Sequence, residues 1–383
     1  MTPALLQILP ALNAGGVERG TLEIAEAQAR AGFRPIVASA GGRLVPALEA
    51  LGARHVTLPL TAKSPWGLAA NAVALRRLIR AEGVRLVHAR SRAPAWSALW
   101  AARAAGVPFV TTYHGTYNEG FPGKRLYNSV MARGDRVIAI SQFIADLVRA
   151  RHGTAAARIR VIPRGVDLRQ FDPDLVPPAR LAALRAAWGV PGGGVPQSIA
   201  EGGRPVLLLA ARISRWKGQG VALEALARLP APRPFLILAG DAGRGAWAAE
   251  LRGRIAALGL AGDVALPGHV EDMPAALLLA DLALHASTDA EAFGRSVVEA
   301  QAMGRPVIAT DLGAPRETVA EGVTGWRVPP GDAAALAAAI ARALALPPGE
   351  RAAMGARAQA AVRARYTTRA MQEATLAVYR ELL

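Results

Sequence analysis

The chain alternates short apolar runs with amphipathic stretches from its first residues onward. The runs LLQIL (5–9), PIVAS (35–39), RLVHA (85–89), FVTTY (109–113) and RVIAI (136–140) have strand length. Each leads into apolar residues spaced for one helix face, as over 17–31 and 44–51. Runs without polar alternation predict strands buried on both faces, so the pattern predicts a doubly wound parallel sheet covered by helices. Residues 172–203 interrupt it with DPDLVPP and GVPGGGVPQSIAEGG, and predict a linker with one helix at 179–188. Alternation then restarts with PVLLLAAR, PFLILAGD, DVALPG, DLALHAS and RPVIATD, interleaved with helical spacing at 221–229 and 296–303. A second parallel sheet follows. The tail from 333 is helical throughout, with Met371, Val378 and Leu382 on one face behind Thr368 as a cap.

The expected organisation is therefore a first Rossmann-like lobe over 1–171, a linker over 172–203, a second lobe over 204–364 and a terminal helix over 365–383. A length of 383 residues suits two cores. The absence of Cys removes disulfides, zinc–thiolate sites, iron–sulfur clusters and thiol nucleophiles, and fits a reducing, cytoplasmic setting. The longest apolar stretch, 273–287, is interrupted by Asp281, so no membrane span is expected. The N-terminus lacks a basic leader and reads as a first strand, not a signal peptide.

Charge is uneven. Residues 1–190 carry 25 Lys and Arg against 11 Asp and Glu, net +14, while the remainder carries 20 against 18. The first half thus has the footprint of something that meets a polyanion. Only three of the basic residues are lysines, Lys63, Lys124 and Lys217.

Four elements can carry chemistry. In the first, 287–299, a strand turns through Glu291-Ala-Phe293-Gly294 into a helix whose first amides belong to residues 294–297. A helix N-terminus favours a phosphate, and the carboxylates Glu291 and Glu299 frame it. Taken alone, Glu299 reads as a solvated helix residue and Glu291 as a loop acid. In the second, Arg212 and Lys217-Gly218 follow the strand VLLLA, where positive side chains can converge on the same phosphates. The third is Gly15-Gly16, between first strand and first helix; it lacks the spacing of a dinucleotide loop. The fourth is His114-Gly115, ending the strand FVTTY, where the imidazole can contact a polar ligand or donate a proton. Asp172-Pro-Asp174 falls away from any strand end and reads as structural, not as a metal pair.

In this order, with the Gly-Val-Asp of RGVD before the linker, these elements make the chain resemble the family 4 retaining glycosyltransferases of GT-B fold. The likeness covers nearly the whole chain and is strongest over Glu291–Glu299. It implies two Rossmann-like lobes with a cleft between them and the terminal helix returning to the first lobe. It further implies that Arg212 and Lys217 hold a donor diphosphate, with the amides of Phe293, Gly294, Arg295 and Ser296, and of Gly15 and Gly16, completing the cradle. Glu299 would bind the ribose, Val270 in Gly268-His-Val the nucleobase, and Glu291 and His114 would meet the transferred sugar as catalytic residues. One departure is Arg164, where the family commonly has Asn.

The resemblance implies transfer of a hexose from a GDP- or UDP-sugar to a glycolipid or oligosaccharide, with no cofactor and no metal. The stretch 112–141 is similar to bacterial lipopolysaccharide-core enzymes. Stabilisation of the leaving diphosphate by cations and helix amides suits front-face substitution, with Glu291 positioning the sugar and not attacking it. The basic first half implies peripheral docking on an anionic membrane. The alternatives are a non-hydrolysing sugar-nucleotide epimerase of the same fold and a non-catalytic polyanion-binding protein. The low aromatic content, 5%, argues against a nucleic-acid partner.

Overall fold

In a computed structural model of the chain, which describes residues 2–13, 15–121, 123–191, 203–241 and 246–383, two parallel sheets form. The first contains β1 (Ala4–Ile8), β2 (Arg34–Ser39), β3 (Arg54–Thr57), β4 (Val84–Ala89), β5 (Phe109–Tyr113), β6 (Arg136–Ala139) and β7 (Ile159–Val161). Their order is β3-β2-β1-β4-β5-β6-β7, every pair parallel. The order reverses between β1 and β4, whose register sets Leu6 beside Val87. The second contains β8 (Val206–Ala210), β9 (Phe235–Ala239), β10 (Val264–Gly268), β11 (Leu282–His285), β12 (Val307–Thr310) and β13 (Gly325–Val328). Its order is β10-β9-β8-β11-β12-β13, with the reversal between β8 and β11. Both arrangements are GT-B in character. Ligands of such sheets bind outside the carboxyl ends of the strands where the order reverses.

Two compact units result, Met1–Arg164 with Thr368–Leu383, and Gly165–Thr367. The first unit's sheet buries Leu5, Leu86, Val110 and Ile138 against Ile24, Met371, Val378 and Tyr379. The helix Thr368–Arg380 therefore belongs to the first unit's core. Tyr379 is wholly buried, and its hydroxyl meets His88 Nδ1 at 2.6 Å. In the second unit Leu207, Leu209, Leu236 and Leu238 pack under Leu223, Leu226, Leu336 and Ile340. Helices begin on side-chain caps where the sequence offers them: Ser64, Ser141, Asp272 and Asp332 accept from the amides of Gly67, Ile144, Ala275 and Ala335.

Three details depart from the pattern-based expectation. The strands β3, β7 and β13 lie at or near sheet edges and are only three or four residues long, too short to stand out as apolar runs. The boundary expected at 171 falls after Arg164, because the Val166 amide donates to the Tyr366 carbonyl at 2.8 Å and ties this segment into the second unit. Most of the described part of the expected linker is also built into that unit. Its helix Pro178–Ala187 packs on the helix Met273–Leu279, Arg180 pairs with Asp272 (Nε to Oδ2, 2.7 Å), and Leu181 and Val190 are buried. Residues 192–202, the rest of that linker, lie outside the described residues. Among the described residues, no helix is long and apolar enough to cross a membrane.

The Tyr379–His88 contact makes the terminal helix a stability element. Tyr379→Phe should cost about 1–3 kcal/mol by leaving buried His88 short of a partner, and Tyr379→Ala about 3–5 kcal/mol. Urea unfolding checks this; equal stability of all three proteins would contradict it.

Candidate functional site

In the second unit, β8 and β11 lie side by side, with Leu207 opposite Leu282. The loop leaving β8 makes one 3-10 turn, Arg215–Lys217, and ends on Gly218 at φ +73°. A Cβ there would sit 1.8 Å from the Ala286 carbonyl oxygen, so only glycine lets this turn lie against the end of β11. The Thr288 amide donates to the Trp216 carbonyl at 2.8 Å, a second tie between the two loops. Lys217 stands 4.2 Å over the Trp216 ring and forms an ion pair with Glu291. Two side chains 74 residues apart thus meet at the reversal point of the sheet.

Glu291 is fixed at both ends. Its carbonyl accepts from the Ala314 amide at 3.0 Å. Among the described residues, its carboxyl takes its side-chain hydrogen bonds and ion pairs on one oxygen: Oε1 meets Lys217 Nζ, accepts from Ser287 Oγ at 3.2 Å and lies 3.6 Å from His285 Nε2. Burial alone would push this carboxyl up, but His285 and the Lys217 charge outweigh it and hold it at about 2. Glu291 is therefore an anion at any ordinary pH.

Gly294, at φ +79°, opens the helix Arg295–Ala302, which has no side-chain cap and no acidic residue in its first turn. Such an end leaves amides that can meet an anion. It adjoins the Glu291 group, since a Cβ on Gly294 would lie 3.9 Å from His285 Nε2. Arg295 pairs with Glu299 at 3.1 Å, Ser296 is half-buried beside it, and Phe293 is buried edge-on to Tyr366. Arg212 is exposed, and no hydrogen bond or ion pair of its side chain joins it to this group. Val270 follows β10 at the same end of the sheet, half-buried. Among the described residues no three of His, Asp and Glu gather as a metal site.

The first unit presents a different chemistry. Gly15 is the N-cap of the helix Gly16–Arg30, after β1. His114 follows β5, and its Nδ1 lies 3.2 Å from Arg164 Nη2, so the ring accepts there and carries its proton on Nε2. That Nε2 is sealed from solvent, with no hydrogen-bond partner among the described residues. Burial, with the charges of Arg164 and Arg90, keeps His114 neutral, well below the ordinary histidine range. The structure thus favours a hydrogen-bonding group over the proton donor that the sequence left open. Arg164 and Arg90 are themselves buried, and a Cβ on Gly20 would lie 2.0 Å from Arg164 Nη1.

Sequence reasoning missed Arg90, His285 and Ser287. The period-2 register of DLALHAS, which places His285 and Ser287 on one side of the strand path towards Glu291, is the signal that could have found the last two.

The two sheets and the sites at their reversal points define a GT-B glycosyltransferase, and comparison with known proteins gives the family. The description "Glycosyltransferase Family 4" matches residues 14–170, and "Glycosyl transferases group 1" matches 195–361. The chain belongs to glycosyltransferase family 4 and is a glycosyltransferase. It is 30% identical to a D-inositol 3-phosphate glycosyltransferase of Xylanimonas cellulosilytica, over 92% of this chain and 88% of that one. A solved glycosyltransferase of Rickettsia africae is similar across 100% of this chain and 98% of its own, at 33% identity and a TM-score of 0.89. HepE of Anabaena, solved with UDP-glucose, matches at 27% identity and a TM-score of 0.83, over 99% and 100% of the two chains.

The depressed carboxyl gives a pH prediction. Glu291 lies near 2 in the folded chain against an ordinary 4.5, so it contributes stability that is fully present above about 4.5 and is lost as pH falls through 2. At pH 7, Glu291→Gln should destabilise by roughly 2–3 kcal/mol, and the gap to wild type should narrow between pH 4.5 and 3. A gap that stays constant with pH would contradict this assignment.

Proposed function

We propose that this glycosyltransferase moves a hexose from a nucleoside-diphosphate sugar to a hydroxyl of a glycolipid or oligosaccharide of the cell surface, with retention and without a metal. The observation that carries the reading is the group at the reversal point of the second sheet: an ammonium, an uncapped helix N-terminus and a fixed carboxylate within one turn of each other. The first two suit a diphosphate and the third suits sugar hydroxyls. Of the two nucleotides that the resemblance implies, UDP is favoured by HepE, whose solved complex contains UDP-glucose.

In this reading Lys217 exchanges Glu291 for the diphosphate, and Arg212, exposed nearby in the same loop, joins it. The amides of Phe293, Gly294, Arg295 and Ser296 receive the remaining phosphate oxygens, Glu299 takes the ribose and Val270 the base. As the glycosidic bond breaks, negative charge grows on the leaving diphosphate, where these cations and amides would stabilise it. A phosphate oxygen takes the acceptor proton, and Glu291 orients the sugar. The first unit serves the acceptor.

A phosphorylated polyol is a second acceptor class, favoured by the relative whose name is D-inositol 3-phosphate glycosyltransferase. Docking on an anionic membrane is supported by the charge of residues 1–190, by Arg76, Arg77, Arg80, Lys124, Arg125 and Arg133, and by Trp66, which is 87% exposed. A panel of UDP- and GDP-hexoses with lipid, oligosaccharide and polyol phosphate acceptors, read by nucleoside diphosphate release, tests the reading. Release without acceptor dependence would contradict it.

Each charge-assisted contact to the diphosphate contributes about 1.5–3 kcal/mol, so Lys217→Ala and Arg212→Ala should each lower turnover at least about tenfold. UDP affinity unchanged by calorimetry in both would remove these residues from the donor site. Glu299→Gln should weaken UDP binding, whereas Glu291→Gln should spare it and lower turnover. Activity should survive EDTA; loss in EDTA with recovery in manganese would contradict the metal-free reading.

A further inference from the structure

Glu291 Oε1 receives all three side-chain contacts, while Oε2 has no hydrogen-bond partner among the described residues. The three partners differ in kind. Lys217 comes from the turn after β8 and is the cation assigned to the diphosphate. Ser287 and His285 come from β11 and the residues just beyond it, and both are buried, His285 at 6% exposure. The imidazole is wedged in a strand register otherwise occupied by leucine and alanine, beside Ala309 of β12. A buried polar ring in such a place is unfavourable unless its nitrogens are used.

Both are used. Thr310 Oγ1 lies 3.5 Å from Nδ1 and can donate to it, which leaves the ring proton on Nε2. Nε2 lies 3.4 Å from Ser287 Oγ, and Ser287 in turn donates to Glu291 Oε1. The result is a directed chain of donors from Thr310 through His285 and Ser287 to the carboxylate. Lys217 and His285 are the charged or titratable groups that face Glu291. Once Lys217 turns to a diphosphate, the chain from β11 is what remains to hold the carboxyl.

We propose that His285 is a positioning residue for the transfer: it keeps Glu291 anchored and ionised when Lys217 moves to the donor diphosphate, so that Oε2 is free for the sugar. This rests on the reading that Glu291 meets the transferred sugar. It adds a residue that touches no substrate and acts through Ser287 and Glu291 alone.

The test compares wild type with His285→Leu, His285→Gln and Glu291→Gln, using the full-length chain. Carbon NMR of the Glu291 carboxyl, assigned by its loss in Glu291→Gln, gives its midpoint without any ligand. His285→Leu should raise that midpoint by one pH unit or more, and His285→Gln, which keeps a donor, by less than half as much. In UDP-glucose turnover read by UDP release, His285→Leu should lower kcat at least about tenfold with UDP affinity unchanged, and His285→Gln, which keeps a donor, should recover most of that loss. An unchanged midpoint, or an equal loss of turnover in His285→Leu and His285→Gln, would assign His285 a merely structural role and overturn the proposal. Should His285→Leu fail to fold, Thr310→Val tests the same chain, because nitrogen NMR of His285 should then show loss of the pure Nε2–H tautomer; an unaltered tautomer overturns it. Full turnover in Glu291→Gln would instead sink the reading of Glu291, and the carboxyl midpoints would still judge His285.

Discussion

An ammonium and a carboxylate brought out of water at the point where a parallel sheet reverses its order set the terms for the rest of the second unit. Such a pair is a weak source of stability, because desolvation of both charges offsets much of their attraction. Its surroundings are nonetheless arranged to keep it. Gly218 allows the turn to lie on the end of β11, Trp216 supports the Lys217 ammonium, Thr288 binds the turn to the neighbouring loop, and Ala314 fixes the Glu291 backbone. In the proposed reading this pair exchanges partners, the cation going to phosphate and the anion to hydroxyls, and the uncapped helix beside it supplies the other half of the anion site.

The first unit applies the same rule with its charges reversed in emphasis. Arg90 and Arg164 are buried at strand ends, and the guanidinium of Arg164 fits only because Gly20 has no side chain. Two cations beside a buried imidazole make its protonation unfavourable, so His114 is a neutral ring of fixed tautomer. Burial is the larger cause, and Arg164, standing where the resemblance implies asparagine, adds to it. The glycosyltransferase class, the GT-B sheets and membership of family 4 are common ground between the pattern of residues and the comparisons.

Periodicity made the sheets legible because buried parallel strands are uninterrupted apolar runs; LLQIL, VLLLA and FLILA are unmistakable at that level. The edge strands RHVT, IRV and GWRV were not, since a three- or four-residue strand with polar positions has no periodic signature. Pro- and Gly-rich composition suggested a linker over 172–203 with one helix at 179–188; the helix is there, but composition does not show that one buried face at Leu181 and one ion pair at Arg180 join it to a domain. Among site residues, type and strand-end position were readable for Lys217, Glu291 and Gly294, because they punctuate turns. Their partners were not. Lys217 meeting Glu291 depends on which strands are neighbours, and His285 lies inside a strand where local spacing predicts only an apolar side chain. Arg164 registered as a departure from a motif, but its hold on His114 comes from the packing of β5 and β7 segments that are 50 residues apart.

The central claim is that Lys217 and Glu291 part when the donor binds. A crystal structure of the chain with intact UDP-hexose tests it most directly. The account predicts Lys217 Nζ on a diphosphate oxygen, Glu291 still bonded to Ser287 through Oε1, and Oε2 within hydrogen-bonding distance of the hexose. A complex in which Lys217 remains on Glu291, with the diphosphate bound elsewhere, would contradict it.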